Sequence, residues 1–320
     1  MSAMDRRWTV TGDEAGQRLD KYLSAPERAG SRRRASQALL RGRVFVDDVE
    51  VPADGGARIV RADQQVRLWG DRPGSAQRVL RPQRRGGLDL VFEDDDLVVV
   101  NKPPGMLTVP LDSGGGGPSV LQALQERFRS HRTRLPLVVH RIDRDTSGLV
   151  MFALTPAARD ALVAQFAKRT PERAYLALVW GTPEPDSGTW HDRLSWDEEA
   201  CLQRSARDDD PAAKDAESAY RIVQRLGRAS LLEIRLRTGR QGQIRVQAQL
   251  RGHPLVGDRR YRVPGVAGGQ VIDFPRQALH AQRLAFAHPQ DGRAIECMAP
   301  LPEDLRLLVE RLRKRARQEG

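Results

Sequence analysis

The chain of 320 residues carries 53 Lys and Arg against 42 Asp and Glu, a net charge of +11, and 39% of it is hydrophobic. That length suits about two domains with a sizeable core, and Cys201 and Cys297 stand in no spacing that would suggest a disulfide framework or a zinc cluster. No run of about 18 apolar residues occurs and the first residues form no apolar leader, so a membrane span and a secretory signal are disfavoured and a cytoplasmic protein is expected.

Residues 1–15 read as an N-terminal tail and 16–70 as a small module. "GQRLDKYLSA" and "GSRRRASQALLRGRVFVDD" open as two short helices, with Leu19, Tyr22 and Leu23 on one face and Ala35, Ala38 and Leu39 on another. The remainder, ending in "IVRADQQVRLWG", alternates as short strands. Between 17 and 70 there are 11 basic and 7 acidic residues. Arg32, Arg33 and Arg34 open the second helix, and Arg41 and Arg43 flank Gly42, where a turn can gather them. Such a module could track phosphates; a docking domain with a charged face is the other reading. The pieces "RLDKYL", "SRRRASQALLRGRVFVDD" and "ADQQVRL" resemble the alpha-L RNA-binding motif found in a ribosomal protein and several RNA-modifying enzymes. That resemblance implies RNA contacts for Lys21, Arg32, Arg33, Arg34, Arg41 and Arg43.

Residues 71–87, rich in Gly, Pro and Arg, read as a linker. From 88 to 320 one domain dominated by strands is expected. "LDLVFEDDDLVVVNKPPGM" gives two apolar runs around the turn "EDDD", and "PSVLQALQERF" and "TPAARDALVAQFAKR" give helices, the second capped by Thr155. "AYLALVWG", "SAYRIVQRL" and "SLLEIRLRTG" read as strands. Residues 196–218 read as a surface insertion, and "LPEDLRLLVERLRKRA" as a closing amphipathic helix. "EDDDL" as a solvated turn outweighs a metal site, and "DSGGGGPS" lacks the Lys-Ser/Thr ending of a phosphate-binding loop, so neither metal nor cofactor is expected.

The segment "HRIDRDTSGL", residues 140–149, places two carboxylates and two arginines between apolar runs. It reads as a loop joining two strands, where site residues concentrate. Cations beside a carboxylate favour its ionised form, which suits a nucleophile, although a charged hairpin tip is the commoner use of such a pattern. "HRIDRDTSGLVMFA" matches the "HRLDxxTSGxxxxA" motif of the RluA-like pseudouridine synthases. "DLVVVNKPPGMLTVP", "RAYLALVWG", "TGRQGQIRVQAQLRGHPLVGDRRY" and "RQALHAQRLAFAHP" resemble further motifs of that family, in its order.

The resemblance implies an α+β protein: a small N-terminal alpha-L RNA-binding domain, then a catalytic domain built on a mixed, mainly antiparallel sheet with flanking helices. It implies isomerisation of uridine to pseudouridine in rRNA or tRNA by a monomer, with Asp143 acting at the sugar, Tyr175 stacking on the base and Arg245 pairing with Asp143. Substrate contacts fall to His140, Arg141, Arg144, Thr146, Ser147 and Gly148. Two positions depart from the family pattern, Gly242 and Gln247 standing where histidines are usual. They keep open a non-catalytic RNA-binding or ribosome-assembly factor. A glycosidase or nuclease lacks a second placed acid or a metal cluster.

Overall fold

The computed structural model describes residues 5–319 apart from 41, 53–54, 70–78, 81–82, 86–87, 112–116, 131–133, 208 and 267–271. Two units emerge, Met1–Arg78 with Asp291–Ala294, and Val79–Gln290 with Ile295–Gly320.

In the first unit β1 (Asp5–Thr9), α1 (Leu19–Leu23), α2 (Arg32–Leu40), β2 (Val44–Val46), β3 (Val49–Glu50) and β4 (Gln65–Trp69) form a four-stranded sheet of order β1-β4-β2-β3 with two helices. The helix faces read from the sequence are the core: Leu19, Tyr22, Leu23, Ala35, Ala38 and Leu39 are all buried with Val44, Val46, Val66 and Leu68. Asp47 and Asp48 turn the β2–β3 hairpin with φ of 53° and 58°, a left-handed pair that short polar side chains tolerate. The expected tail is corrected, since β1 pairs antiparallel with β4. Charged on its outer positions and only five residues long, this edge strand gives too little alternation to be seen in the sequence.

The second unit contains β5 (Val79–Leu80), β6 (Gln83–Arg85), β7 (Leu88–Glu93), β8 (Leu97–Lys102), α3 (Val120–Phe128), β9 (Leu137–Val138), β10 (Ser147–Ala153) and α4 (Pro156–Ala167). It continues with β11 (Glu172–Trp180), β12 (Ser187–Asp197), β13 (Leu202–Ser205), β14 (Lys214–Leu226), β15 (Ala229–Leu236), α5 (Gln243–Leu250), β16 (Leu279–Ala287), β17 (Ala294–Met298) and α6 (Glu303–Glu319). Its sheet runs β13-β12-β14-β15-β11-β16-β10-β8-β7-β6, with neighbours along this path antiparallel except β10 and β16; β9 pairs with β10, β17 with β16, and β5 in parallel with β17. Two strands, β5 and β6, lie inside the expected linker, whose other residues fall outside those described. The expected insertion at 196–218 is likewise a run of strands, from the end of β12 through β13 into β14.

Helices on both faces explain the unbroken apolar runs. In β8 and β10 alternate residues go opposite ways: Val98, Val100, Val150 and Phe152 pack with Leu124 of α3, and Leu97, Val99, Leu149 and Met151 with Leu162 of α4. The same parity along β11 sends Leu176 and Leu178 to α6 and Tyr175, Ala177 and Val179 to α5. Tyr175 therefore shares a face with the helix that carries Arg245.

Where β10 and β16 meet in parallel, Gly148 lies opposite Ala281. Its φ is +111°, and a Cβ there would fall 2.2 Å from the Ala281 carbonyl oxygen. Only glycine lets β10 begin this close to its neighbour.

Candidate active site

The loop between β9 and β10 is held by its own backbone. The Ile142 carbonyl accepts from Thr108 Oγ1 at 2.8 Å, and the Asp143 carbonyl from the Thr146 amide at 3.2 Å. Lys102 Nζ donates to the Arg144 carbonyl at 2.7 Å, and Arg276 Nη1 to the Asp145 carbonyl at 2.9 Å. Four consecutive carbonyls are thus satisfied, which makes an irregular loop as rigid as a strand end.

Lys102 is fully buried and also donates to the carbonyls of Pro103 and Met106. Burial pulls its ammonium down to about 7, against the opposing pull of the Asp145 and Asp143 carboxylates. Placed after four apolar residues in "LVVVNKPPG", it ties the Pro-Pro-Gly loop to the Asp143 loop.

Asp143 Oδ2 accepts from Arg245 Nη1 at 2.9 Å. The same guanidinium is forked by Asp258, Nε to Oδ2 at 2.6 Å and Nη2 to Oδ1 at 2.9 Å, and lies 4.8 Å from the Tyr261 ring centroid. Arg245 has 11% of its side chain exposed, Asp143 27% and Asp258 none. Burial alone would lower the Arg245 pKa, but the two carboxylates more than offset it and raise it. Asp143, Tyr175 and Arg245 line a cavity of about 250 Å³ with Arg141, Thr146, Arg240, Gln241 and Leu279. Burial, reinforced by the negative charge of Asp143 and opposed by Arg173, raises the Tyr175 phenol above its ordinary pKa.

The three residues expected to act together are therefore brought together from β11, α5 and the β9–β10 loop. Arg141 and Thr146 also reach the cavity, whereas Arg144 is exposed and is engaged through its carbonyl. His140, Ser147 and Gly148, also expected to contact the substrate, are placed against the scaffold. His140 stacks on Phe166 at 4.8 Å and its Nε2 accepts from the Met151 amide at 3.1 Å. Ser147 Oγ meets His280 Nδ1 at 3.0 Å, and His280 Nε2 donates to the Ala299 carbonyl at 3.2 Å.

His140 is neutral because its Nε2 accepts, and burial keeps the His280 ring neutral, the Ser147 hydroxyl being able to give or take the hydrogen between it and Nδ1. Burial pulls His140 down to about 3 and His280 to about 4. Above pH 6.5 neither ring distinguishes folded from unfolded chain. As pH falls below that value the unfolded chain takes up two protons that the folded chain refuses, so stability is lost, with a slope approaching about 2.7 kcal/mol per pH unit. Urea denaturation between pH 7 and 4.5 should show this loss, and His140→Gln, an acceptor that does not titrate, should remove about half of its slope.

The acidic turn is also corrected. Asp94 and His288 have fully buried side chains paired at 2.7 Å, and Asp94 Oδ1 closes the turn by accepting the amides of Asp96 and Leu97. Asp94, Asp96 and His288 offer ligand atoms within 4.8 Å of one another, but their mutual bonds account for them as a clamp on the β7–β8 hairpin.

The two departures from the family pattern have local explanations. Gly242 caps α5 in a left-handed conformation, φ +63°. Gln247 is fully buried: its Oε1 accepts from Ser218 Oγ at 2.6 Å, and its Nε2 donates to the Ala216 carbonyl and Asp192. It staples α5 to β12 and β14 with no polar atom left over. Sequence reasoning assigned no role to Lys102, Asp258 or Tyr261. The signals were a lone lysine ending an apolar strand and an aspartate after a turn glycine, both inside motifs already quoted.

A family model described as RNA pseudouridylate synthase matches residues 96–250. YlyB of Bacillus subtilis (strain 168), an uncharacterized RNA pseudouridine synthase, is 34% identical over 96% of this chain and 97% of its own length. The chain belongs to the RNA pseudouridine synthase family, enzymes that isomerise uridine in RNA. Among its relatives, the ribosomal large subunit pseudouridine synthase D of Vibrio parahaemolyticus is 33% identical over 98% of this chain and 96% of that protein. The one from Zymomonas mobilis is 34% identical over 95% and 96%. The fold is also that of human RNA Pseudouridylate Synthase Domain Containing 4, with a TM-score of 0.57 at 21% identity over 70% of this chain and 92% of that one. These findings support the enzyme and not the non-catalytic alternative. Among the described residues no helix is long and apolar enough to cross a membrane.

Proposed function

We propose that this enzyme isomerises uridines of ribosomal RNA, with Asp143 as the group that acts on the ribose. The observation that carries the reading is the Asp143–Arg245 pair at 2.9 Å in a cavity also lined by Tyr175. The reaction breaks the bond from the anomeric carbon to the ring nitrogen, turns the base, and joins the same sugar carbon to ring carbon five. It needs no redox step and no group donor. Asp143 either attacks the sugar to form an ester or removes a sugar proton to give a glycal; both courses place an ionised carboxylate at the anomeric centre. Arg245 fixes that carboxylate through a charge-assisted bond, strong where water is scarce.

Tyr175 covers the base, and the proton that carbon five releases passes through its hydroxyl to water, which takes the hydroxyl hydrogen as the ring proton arrives. Loss of that proton restores the conjugated ring, so a weak base suffices. The uridine must leave its stack to enter, at a cost of a few kcal/mol, which contacts to phosphates offset. Arg141 at the cavity and exposed Arg144 beside it are suited to these contacts.

The names of the relatives as large-subunit enzymes support rRNA as the substrate class. Incubation with large-subunit rRNA from cells lacking the gene, followed by pseudouridine mapping, should yield a small set of modified uridines. Product confined to tRNA would overturn that assignment.

The first unit is the proposed RNA-holding module of a cytoplasmic monomer. Lys21, Arg32, Arg33 and Arg34 are exposed. Arg43 is half-buried and pairs with Asp291 at 3.4 Å, and Arg41 lies outside the described residues. Replacing Arg32, Arg33 and Arg34 with Ala should weaken RNA binding and flatten its log-log salt dependence by up to about 2, at about 0.7 per phosphate contact on single-stranded RNA. Filter binding across a salt series measures this; an unchanged slope would remove these arginines from the interface.

A further inference from the structure

We infer that Asp258 is a positioning residue for the isomerisation, aiming Arg245 at Asp143. The inference rests on the reading of Asp143 as the carboxylate that meets the sugar. A guanidinium presents its donors in one rigid plane. With Nε and Nη2 engaged by the two oxygens of Asp258, rotation of that plane is blocked and Nη1 remains for Asp143.

Asp258 is itself immobilised. Its Oδ1 also accepts the backbone amides of Arg260 at 2.9 Å and Tyr261 at 3.1 Å. The preceding Gly257 has φ +76°, and a Cβ on it would fall 2.0 Å from the Arg276 carbonyl oxygen. The segment leading into it lies against β11: the Val256 amide donates to the Leu178 carbonyl and the Ala278 amide to the Val256 carbonyl, each at 2.9 Å. Asp258 is thus referenced to the backbone of the strand that carries Tyr175. The chain of contacts from β11 through Asp258 and Arg245 to Asp143 fixes the distance between the base-covering ring and the sugar-facing carboxylate, although the two residues stand on different elements.

The fork has a further consequence. Tyr261 follows Asp258 by three positions, and its ring lies 4.8 Å from the Arg245 guanidinium carbon while its hydroxyl accepts the Gln203 amide at 2.9 Å. One turn therefore supplies both the carboxylate that forks Arg245 and the aromatic face that it meets.

Asp258→Asn keeps the shape but replaces one acceptor with a donor, so the fork opens and Nη1 loses its aim. Misplacement by about 1 Å costs about 100-fold in rate. The expected result is kcat for pseudouridine formation lowered about 100-fold, KM for RNA within about twofold, and partial rescue by Asp258→Glu. Wild-type kcat in Asp258→Asn, or a rise in KM alone, would overturn the inference. A second measurement is independent of turnover. The Arg245 Nε–H should give a slowly exchanging NMR signal in the full-length protein and in Asp143→Asn, and lose that protection in Asp258→Asn. If the signal persists in Asp258→Asn, Asp258 does not hold Arg245. A protected signal in a wild-type protein that makes no pseudouridine would instead count against the catalytic reading of Asp143.

Discussion

Asp143→Asn is expected to lower pseudouridine formation at least about 10³-fold, the scale on which removal of a reacting group is felt. The substitution is nearly isosteric, and the amide oxygen can still accept from Arg245 Nη1, which wild-type Asp143 engages at 2.9 Å. The backbone of the loop is held by Thr108, Lys102 and Arg276, none of which touches the Asp143 side chain through those bonds. Folding and RNA affinity should therefore stay within about twofold of wild type, leaving the loss in the chemical step. Single-turnover assays on rRNA, read by pseudouridine mapping, measure the rate. Product formed by Asp143→Asn at the wild-type rate would defeat the assignment of the reacting group.

Arg245→Met should abolish activity and also destabilise the fold, by about 3–5 kcal/mol, because it strands a buried carboxylate. Asp258 has no side-chain exposure, and both of its oxygens are engaged by Arg245. Asp143, with 27% exposed, has recourse to water. The asymmetry supplies a second test. Exchanging the pair together, Arg245→Met with Asp258→Asn, should recover much of the lost stability, because Asn carries no charge and its Oδ1 can still accept the Arg260 and Tyr261 amides, but none of the turnover, since nothing then orients Asp143. Equilibrium denaturation of the single and double variants decides this. If Arg245→Met unfolds at the wild-type denaturant concentration, the buried fork contributes nothing to stability.

The residues most legible in the sequence were those whose local neighbours dictate their position. Leu305, Leu308, Val309 and Leu312 recur at helical spacing and are all buried on α6. Thr155 caps α4 by accepting the Ala158 amide. Short strands were harder to see. The five-residue β1 is charged at Asp5, Arg6 and Arg7 and finds its partner only at Gln65–Trp69, and the β12–β13 hairpin is short and carries charge at Asp197 and Arg204. Among candidate site residues, Asp143, Tyr175 and Arg245 were legible through motifs, but the motifs could not separate side chains that face the cavity from those that hold it. His140, Ser147 and Gly148 adjoin Asp143 in sequence and yet face Phe166, His280 and Ala281.

By itself the sequence determined the helices other than α5, the strands buried on both faces, the exposed basic residues of the first unit and the three side chains proposed to meet the uridine. Each depends on the period of a short segment or on a motif contained within one. Only the tertiary structure decided that Arg245 is held between Asp143 and Asp258, 102 and 13 residues away, and that Lys102 and Arg276 hold the loop from outside it. Those are bonds between segments that the sheet brings together. A buried ion takes its partners from whatever the fold places within about 3 Å, and spacing along the chain does not encode that distance.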